Sequence, residues 1–477
     1  MTYPTKLFIG GDWVDASDGG AFDVSDPATT EAIASVSNGT LDDADRAVEA
    51  ASAAFPSWAA TPMRERGELL RAVFEKMIER TDEVARLISL ENGKVTADAI
   101  GEVRYAAEFL RWFSEEAVRG FGRVGETPSG LGKIVVMNQP VGVSLLITPW
   151  NFPAAMMTRK VGPALAAGCT VVVKPASDTP LTALWLADLF RECGAPPGVV
   201  NVVPSKRSGP FAERVLADDR VRKLSFTGST EVGRDLLALA ARRVVNNSME
   251  LGGNAPFIVM DDADMDATIT GALQAKMRGS GAACVSANRF YVQRKAHDEF
   301  VDRFTKAMAA MRIGPATEAD AQVGPLVNER ERDRVAGLVD GAVSRGVTVT
   351  TGGERLNRTG WYYSPTVLAD VKADDPLLRE EIFGPVAPIV AFDELDEAVA
   401  LANDTDMGLI AYAFTEDLRT GLNLAERLDA GMIGLNRGFI SDPAAPFGGT
   451  KQSGIGREGG HEGLMEFIEP KYVGTNW

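Results

Sequence analysis

"VGVSLLITPWNFP" (residues 141–153) begins as an apolar, β-rich run and ends between two prolines. It is the first of a series. "CTVVVKP" (169–175), "VVNVVP" (199–204) and "VRKLSFTGS" (221–229) repeat the texture, separated by helical patterns such as "PLTALWLADLFREC" (180–193). Short buried strands alternating with helices predict a parallel sheet flanked by helices. A second series follows: "FYVQ" (290–293), helices over 297–311 and 329–345, "VTVTTGG" (347–353), "VAPIVAF" (386–392), a helix over 395–403, "LIAYAFTED" (409–417), a helix over 418–430 and "MIGLN" (432–436). The fold class is therefore α/β, with two doubly wound parallel sheets.

Upstream, "RERGELLRAVFEKMIERTDEVARLISL" (64–90) places Leu70, Val73, Phe74, Met77 and Ile78 at helical spacing, and "ENGK" (91–94) supplies a stop. Two stretches fit neither series: residues 119–140 and "EFIEPKYVGTNW" (466–477). Both read as extended segments whose edges pair with another subunit or with a hairpin of the same chain.

Composition narrows the function. The 477 residues are 45% hydrophobic and 24% charged, the profile of a soluble globular chain with more than one core. A net charge of −17 disfavours nucleic acid or an anionic membrane as partner. An anionic substrate would need locally placed cations. The first residues lack a signal-peptide pattern, and no apolar run reaches about 18 residues, so neither secretion nor a spanning helix is expected. Cys169, Cys193 and Cys284 are few and scattered, which favours a reducing cytoplasm. With only His297 and His461 available, no metal site and no Cys–His pair is expected, and any general base should be a carboxylate.

"GSGAACVSANRF" (279–290) surrounds Cys284 with small residues, where a packing cysteine would have bulky neighbours. "NNSMELGG" (246–253) puts Glu250 at a strand end, as a base or as a turn residue. "ITPWNFP" (147–153) stiffens the Asn151 amide as a donor, or is a turn holding Trp150. "SFTGSTEVG" (225–233) runs from strand through a glycine turn into a helix start, where backbone N–H groups can cradle a pyrophosphate, although G-x-G-x-x-G is absent. In "VVVKPAS" (171–177), Lys174 and Ser177 lie where an open sheet binds ligand, and Lys174 reads equally as a solvated loop lysine.

Together with "EEIFGPV" and "PFGGTKQSGIGREGG", these motifs stand in the order and spacing of the aldehyde dehydrogenase superfamily, which the chain resembles over roughly residues 6 to 475. The resemblance implies Cys284 as nucleophile, Glu250 as general base and Asn151 as oxyanion donor. It implies NAD or NADP bound by Thr148, Pro149, Trp150, Lys174, Ala176, Ser177, Thr227, Gly228, Ser229, Gly233, Leu251, Glu381 and Phe383. It further implies a cofactor-binding unit over 1–118 and 141–251, a catalytic unit over 252–450, and a β element over 119–140 and 460–477 that joins a homodimer or homotetramer. Two positions depart from the family: Gly279 replaces its usual asparagine and Ala282 its glutamine or glutamate, which is expected to loosen the cysteine loop. Within the family the chain is most similar to succinate-semialdehyde dehydrogenases, in which residues at the positions of Arg159, Arg278 and Ser441 bind the substrate carboxylate. An arginine fork suits a carboxylate, and a surface ion pair is the alternative for either arginine alone. Glutarate semialdehyde and 2-oxoglutarate semialdehyde are the neighbouring substrates. A coenzyme-A-acylating enzyme and a non-catalytic homologue are the other classes, disfavoured by retained Glu250 and by Cys284, Glu250 and Asn151 together. Ser177, where NAD-preferring members carry glutamate, favours NADP.

Overall fold

The computed structural model describes residues 3–476; Met1, Thr2 and Trp477, which fall in the first unit and the terminal strand expected from sequence, lie outside the described residues. The first sheet has a parallel centre in the order Val200–Val202, Val171–Lys174, Val143–Ile147, Val221–Thr227, Asn246–Glu250. The strands Val143–Ile147 and Val171–Lys174 are buried at every residue, because helices cover both faces. Their registers align the carboxyl ends: Ile147 lies beside Lys174 and Phe226, and Thr227 beside Glu250. The four loops that follow therefore open on one edge, where open α/β sheets bind ligands. The chain returns late to this sheet, since the short strand Gly454–Ile455 pairs with Met249 and Glu250.

The second sheet runs Thr348–Thr351, Thr366–Ala369, Val386–Phe392, Ala287–Gln293, Ala255–Val259, Ile410–Phe414, Met432–Leu435. All its pairs are parallel except the outermost, Thr348–Thr351 on Thr366–Ala369. Both sheets match the two series legible in the sequence.

The periodic run over 64–90 is two helices, Met63–Glu79 and Thr81–Asn92. Arg80 breaks them with non-helical backbone and bonds Glu83 and Glu192 instead. Ile78, at the break, is exposed, whereas Leu70, Val73 and Met77 are buried. Gly93, in the predicted stop, ends the second helix at φ 87°.

The two leftover stretches find each other on the same chain. Ile468–Thr475 pairs antiparallel with Lys133–Pro140 over eight residue pairs, and Arg123–Glu126 adds a third strand. The sheet has Ile468–Thr475 and Arg123–Glu126 as outer strands, and Val124, Met137 and Tyr472 are exposed on it. Among the described residues no helix is long and apolar enough to cross a membrane.

The helix Thr230–Ala241 starts at the ligand edge with Ser229 as its N-cap, the hydroxyl accepting from Val232 N–H. Gly233 lets that helix lie against the sheet, because a Cβ there would stand 2.4 Å from Leu251 Cδ2. Gly233→Ala should overpack this contact, at a cost of roughly 1–3 kcal/mol. The thermal unfolding midpoint should drop; an unchanged midpoint would show that Leu251 yields freely.

Candidate active site

The helix Met265–Met277 ends in a left-handed run: Gly279, Ser280 and Gly281 have φ of 57°, 56° and 80°. Ser280 holds this conformation although it is not glycine, and a two-way bond fixes it. Its hydroxyl donates to Gly324 O (3.2 Å) and accepts from Gly324 N–H (3.1 Å). Gly281 must be glycine for space as well, since a Cβ would lie 2.3 Å from Gly384 O. The run delivers Cys284 to a cavity of about 300 Å³. Its carbonyl lies so near Gly253 that a Cβ there would come within 2.3 Å of it. Tyr412 anchors the far side by donating to Val285 O (2.8 Å).

Gly279 and Ala282, where a looser loop is expected, are bonded through their backbone. Gly279 N–H donates to Asp98 (2.9 Å), Ala282 N–H to Gly279 O (3.1 Å), and Asn151 Nδ2 donates to Ala282 O (3.1 Å).

The same cavity is lined by Pro149, Trp150, Asn151, Thr227, Gly228, Ser229, Leu251, Glu381 and Phe383, all of them expected from sequence. Gly252, Glu331 and Arg334 also line it and were not expected. Arg334 donates to the Glu381 and Ile382 carbonyls (3.1 and 2.8 Å) and pairs with Glu331 (3.0 Å). It thereby braces the loop that turns at Phe383, whose φ is 52°. The Phe383 and Trp150 rings meet edge to face at 5.4 Å. Gly253 N–H donates to Glu381 Oε1 (2.9 Å). Burial pushes the Glu381 carboxyl up to about 7 against the pull of that N–H and of Arg334.

Thr148, Lys174, Ala176, Ser177 and Gly233 do not line the cavity. Thr148 N–H donates to Lys174 O (3.2 Å), which keeps the two loops adjacent. Lys174 is buried and donates to Pro175 O (3.1 Å), and desolvation lowers its amine to about 8. Ala176 and Ser177 are half-buried beside it.

Glu250 lies behind the cavity, buried, with Oε2 lacking a partner. Gly448 leaves room for the carboxylate, since a Cβ there would lie 2.9 Å from Glu250 Oε1. Burial, then the charge of Glu458, hold the Glu250 carboxyl well above the usual range, against Arg159 and Lys160. Glu458 is the main residue that sequence reasoning missed. It sits inside the quoted "GREGG" stretch, but its partners Lys160 and Arg159 (3.5 Å) are 298 and 299 residues away. Lys160 also donates to Ser225 Oγ (3.0 Å). At Cys284, desolvation pushes the thiol up to about 12; Arg159 opposes this and Glu250 adds to it.

Arg159 is neither a surface arginine nor a cavity liner. It is buried, donates to Tyr105 OH (2.6 Å), lies 4.0 Å from the Phe447 ring centroid, and keeps Nε unpartnered. Half-buried Arg278 packs on Tyr105 (5.4 Å), Phe152 (4.8 Å) and Phe439 (4.4 Å). Tyr105 thus holds both guanidinium groups, and nothing in its local sequence marks it. Ser441 is half-buried in the loop two residues beyond Phe439. Cys169 is buried, with its thiol directed to Phe467 O (3.5 Å), and Cys193 caps the end of Pro180–Glu192.

The sequence matches the aldehyde dehydrogenase family over residues 13–473. It is 51% identical to a succinate-semialdehyde dehydrogenase of Paenarthrobacter nicotinovorans, covering 93% of this chain and 98% of that one. It is 47% identical to a glutarate-semialdehyde dehydrogenase of Pseudomonas aeruginosa, covering 98% and 97%. Among solved structures, a succinate-semialdehyde dehydrogenase from Burkholderia pseudomallei superposes with a TM-score of 0.98 at 44% identity, covering 100% of this chain and 98% of that one. A half-buried cysteine facing a cavity, an amide behind it and a buried carboxylate close by thus sit on a fold shared with these enzymes from end to end, and the chain belongs to the aldehyde dehydrogenase family.

Proposed function

We propose that this chain oxidises a carboxylate-bearing aldehyde, succinate semialdehyde before its longer homologues, to the acid with NADP or NAD. The observation that carries the reading is the pair of guanidinium groups on Tyr105, one of them, Arg159, close enough to Cys284 for its charge to act on the thiol. Of the two, half-buried Arg278 is the one open to a substrate carboxylate, and buried Arg159 adds its charge from behind Tyr105. The names of the relatives support the same substrate class, and the glutarate-semialdehyde relative keeps the five-carbon homologue as the second reading.

The residues fit a dinucleotide. Ser229 and the helix behind it present N–H groups, Gly233 allows close packing, and Glu381 faces the cavity. A bound nicotinamide would supply the acceptor for the hydride of the substrate carbon. Everything else falls to this chain. The Cys284 thiol is neutral at rest, so its proton must pass to a base as the sulfur attacks the carbonyl carbon. The oxyanion formed by that bond meets the Asn151 amide and the Cys284 N–H. After oxidation the acyl group is a thioester on Cys284. Glu250 takes a proton from water, whose oxygen attacks the acyl carbon; the C–S bond breaks, the sulfur regains a proton, and the acid leaves.

Cys284→Ala should abolish turnover and leave cofactor binding intact. Glu250→Gln should slow deacylation more than hydride transfer, leaving a burst of reduced cofactor in stopped flow. A base works only when deprotonated, and the Glu250 carboxyl is raised, so wild-type deacylation should decline on the acid side at a pH above the ordinary carboxylate range. That limb should be absent in Glu250→Gln. Full steady-state activity in either variant removes the assignment.

Cofactor choice turns on Ser177. A glutamate there would repel a 2′-phosphate, whereas a small hydroxyl beside Lys174 can donate to it. We read NADP as the preferred cofactor. The NADP-dependent succinate-semialdehyde dehydrogenase of Escherichia coli, 45% identical, supports this. Ser177→Glu should shift the ratio of kcat/KM values towards NAD. A wild type that uses NAD far better overturns the reading.

A charged hydrogen bond is worth roughly 1.5–3 kcal/mol, so Arg278→Ala should lower kcat/KM for succinate semialdehyde by about ten- to a hundredfold. Butyraldehyde, which lacks the carboxylate, should suffer far less. Arg159 also pairs with Glu458, so Arg159→Ala should lower activity on both aldehydes, with the larger loss on succinate semialdehyde. Equal losses on both aldehydes would assign the arginines to structure or general catalysis.

A further inference from the structure

The turn that carries Asn151 is gripped at four successive points from one neighbouring segment. Asn92 Nδ2 donates to Trp150 O (2.9 Å) and Lys94 Nζ donates to Asn151 O. Glu102 Oε1 accepts from Ala154 N–H (2.9 Å) and Ala155 N–H (3.3 Å), the first turn of the helix Pro153–Ala167. The Lys94 and Glu102 side chains, 3% and 0% exposed, form an ion pair, and the ammonium lies 3.7 Å from the Phe152 ring centroid. One turn before Glu102 on the same helix, Thr96–Glu116, Asp98 accepts from Gly279 N–H (2.9 Å), five residues before Cys284.

Both halves of the oxyanion hole are thus hung on one stretch of eleven positions, 92–102. Asn151 is fixed through its own carbonyl and through the helix that follows it. The cysteine loop is fixed at the first residue of its left-handed run. A buried ion pair is a weak source of net stability, because the desolvation of both charges offsets their attraction. What it does supply is direction: a charged donor on Lys94 fixes the Asn151 carbonyl, and with it the amide on the same residue.

We propose that Lys94, paired with Glu102, and Asp98 are positioning residues that set the Asn151 amide against the Cys284 N–H. The proposal rests on the oxyanion role of Asn151. None of the three residues lines the cavity, so they act through Asn151 and the loop.

The test is a thermodynamic cycle. Lys94→Met combined with Glu102→Gln removes the charges together and keeps an amide oxygen for Ala154 and Ala155. In the wild-type background this double change should lower kcat about 10- to 100-fold, the effect expected of a small misplacement. The loss should be equal for succinate semialdehyde and butyraldehyde, with KM and cofactor Kd changed by less than about threefold. In an Asn151→Ala background the same change should cost less than about threefold more, because its target is gone. An equal loss in both backgrounds, or an unchanged kcat, overturns the positioning role. Should the double variant fail to fold, Asp98→Ala against Asp98→Asn carries the test. The alanine should lose kcat on both aldehydes, and the asparagine, which keeps an acceptor for Gly279 N–H, should recover it. Full activity of Asp98→Ala, or no recovery with asparagine, overturns the proposal. An Asn151→Ala variant with full kcat overturns the oxyanion reading itself, and is distinguishable because it is measured alone.

Discussion

Desolvation of charge behind Cys284 is the constraint on which the rest of the site depends. Glu250 and Glu458 are two buried carboxyl groups; Arg159 and Lys160 pair with Glu458, and their charges act on Glu250 as well. Burial works against every one of these ions, and only their mutual attraction makes the arrangement tolerable. The balance is incomplete at Glu250, whose second oxygen has no partner. That shortfall raises its proton affinity and suits a base that must take a proton and give it up again. The thiol beside it is neutral for the same reason, so reactivity is created at the moment of attack and is not stored.

The fold meets this constraint by bringing distant chain to one edge. The strands ending at Ile147, Thr227 and Glu250 deliver three loops in register. The second sheet contributes the cysteine loop through the strand Ala287–Gln293. The last contribution is the return of Gly454–Ile455 to the first sheet, which places Glu458 three residues beyond Ile455 among the cations of Pro153–Ala167.

What could be read from the sequence was local. Buried strands alternating with helices have a period that survives in a single window, and the motifs around Asn151, Glu250 and Cys284 announce themselves through proline, glycine and small residues. The break at Arg80 escaped because the hydrophobic spacing runs on through it, and one of the two carboxylates Arg80 bonds, Glu192, is far along the chain. Glu458, Tyr105, Arg334 and Lys94 escaped for the same reason. Each is an ordinary residue in its own neighbourhood, and its meaning comes from a partner 47 to 299 residues away.

The bond from Asn151 to Ala282 spans 131 residues. Contacts of that sequence separation close late, since the entropy of the intervening loop must be overcome before they give anything back. Asn151 and the loop that carries Cys284 therefore meet only when the chain between them has folded. A partly folded chain lacks the amide and the carboxylate that act on the sulfur, so turnover waits for the completed fold.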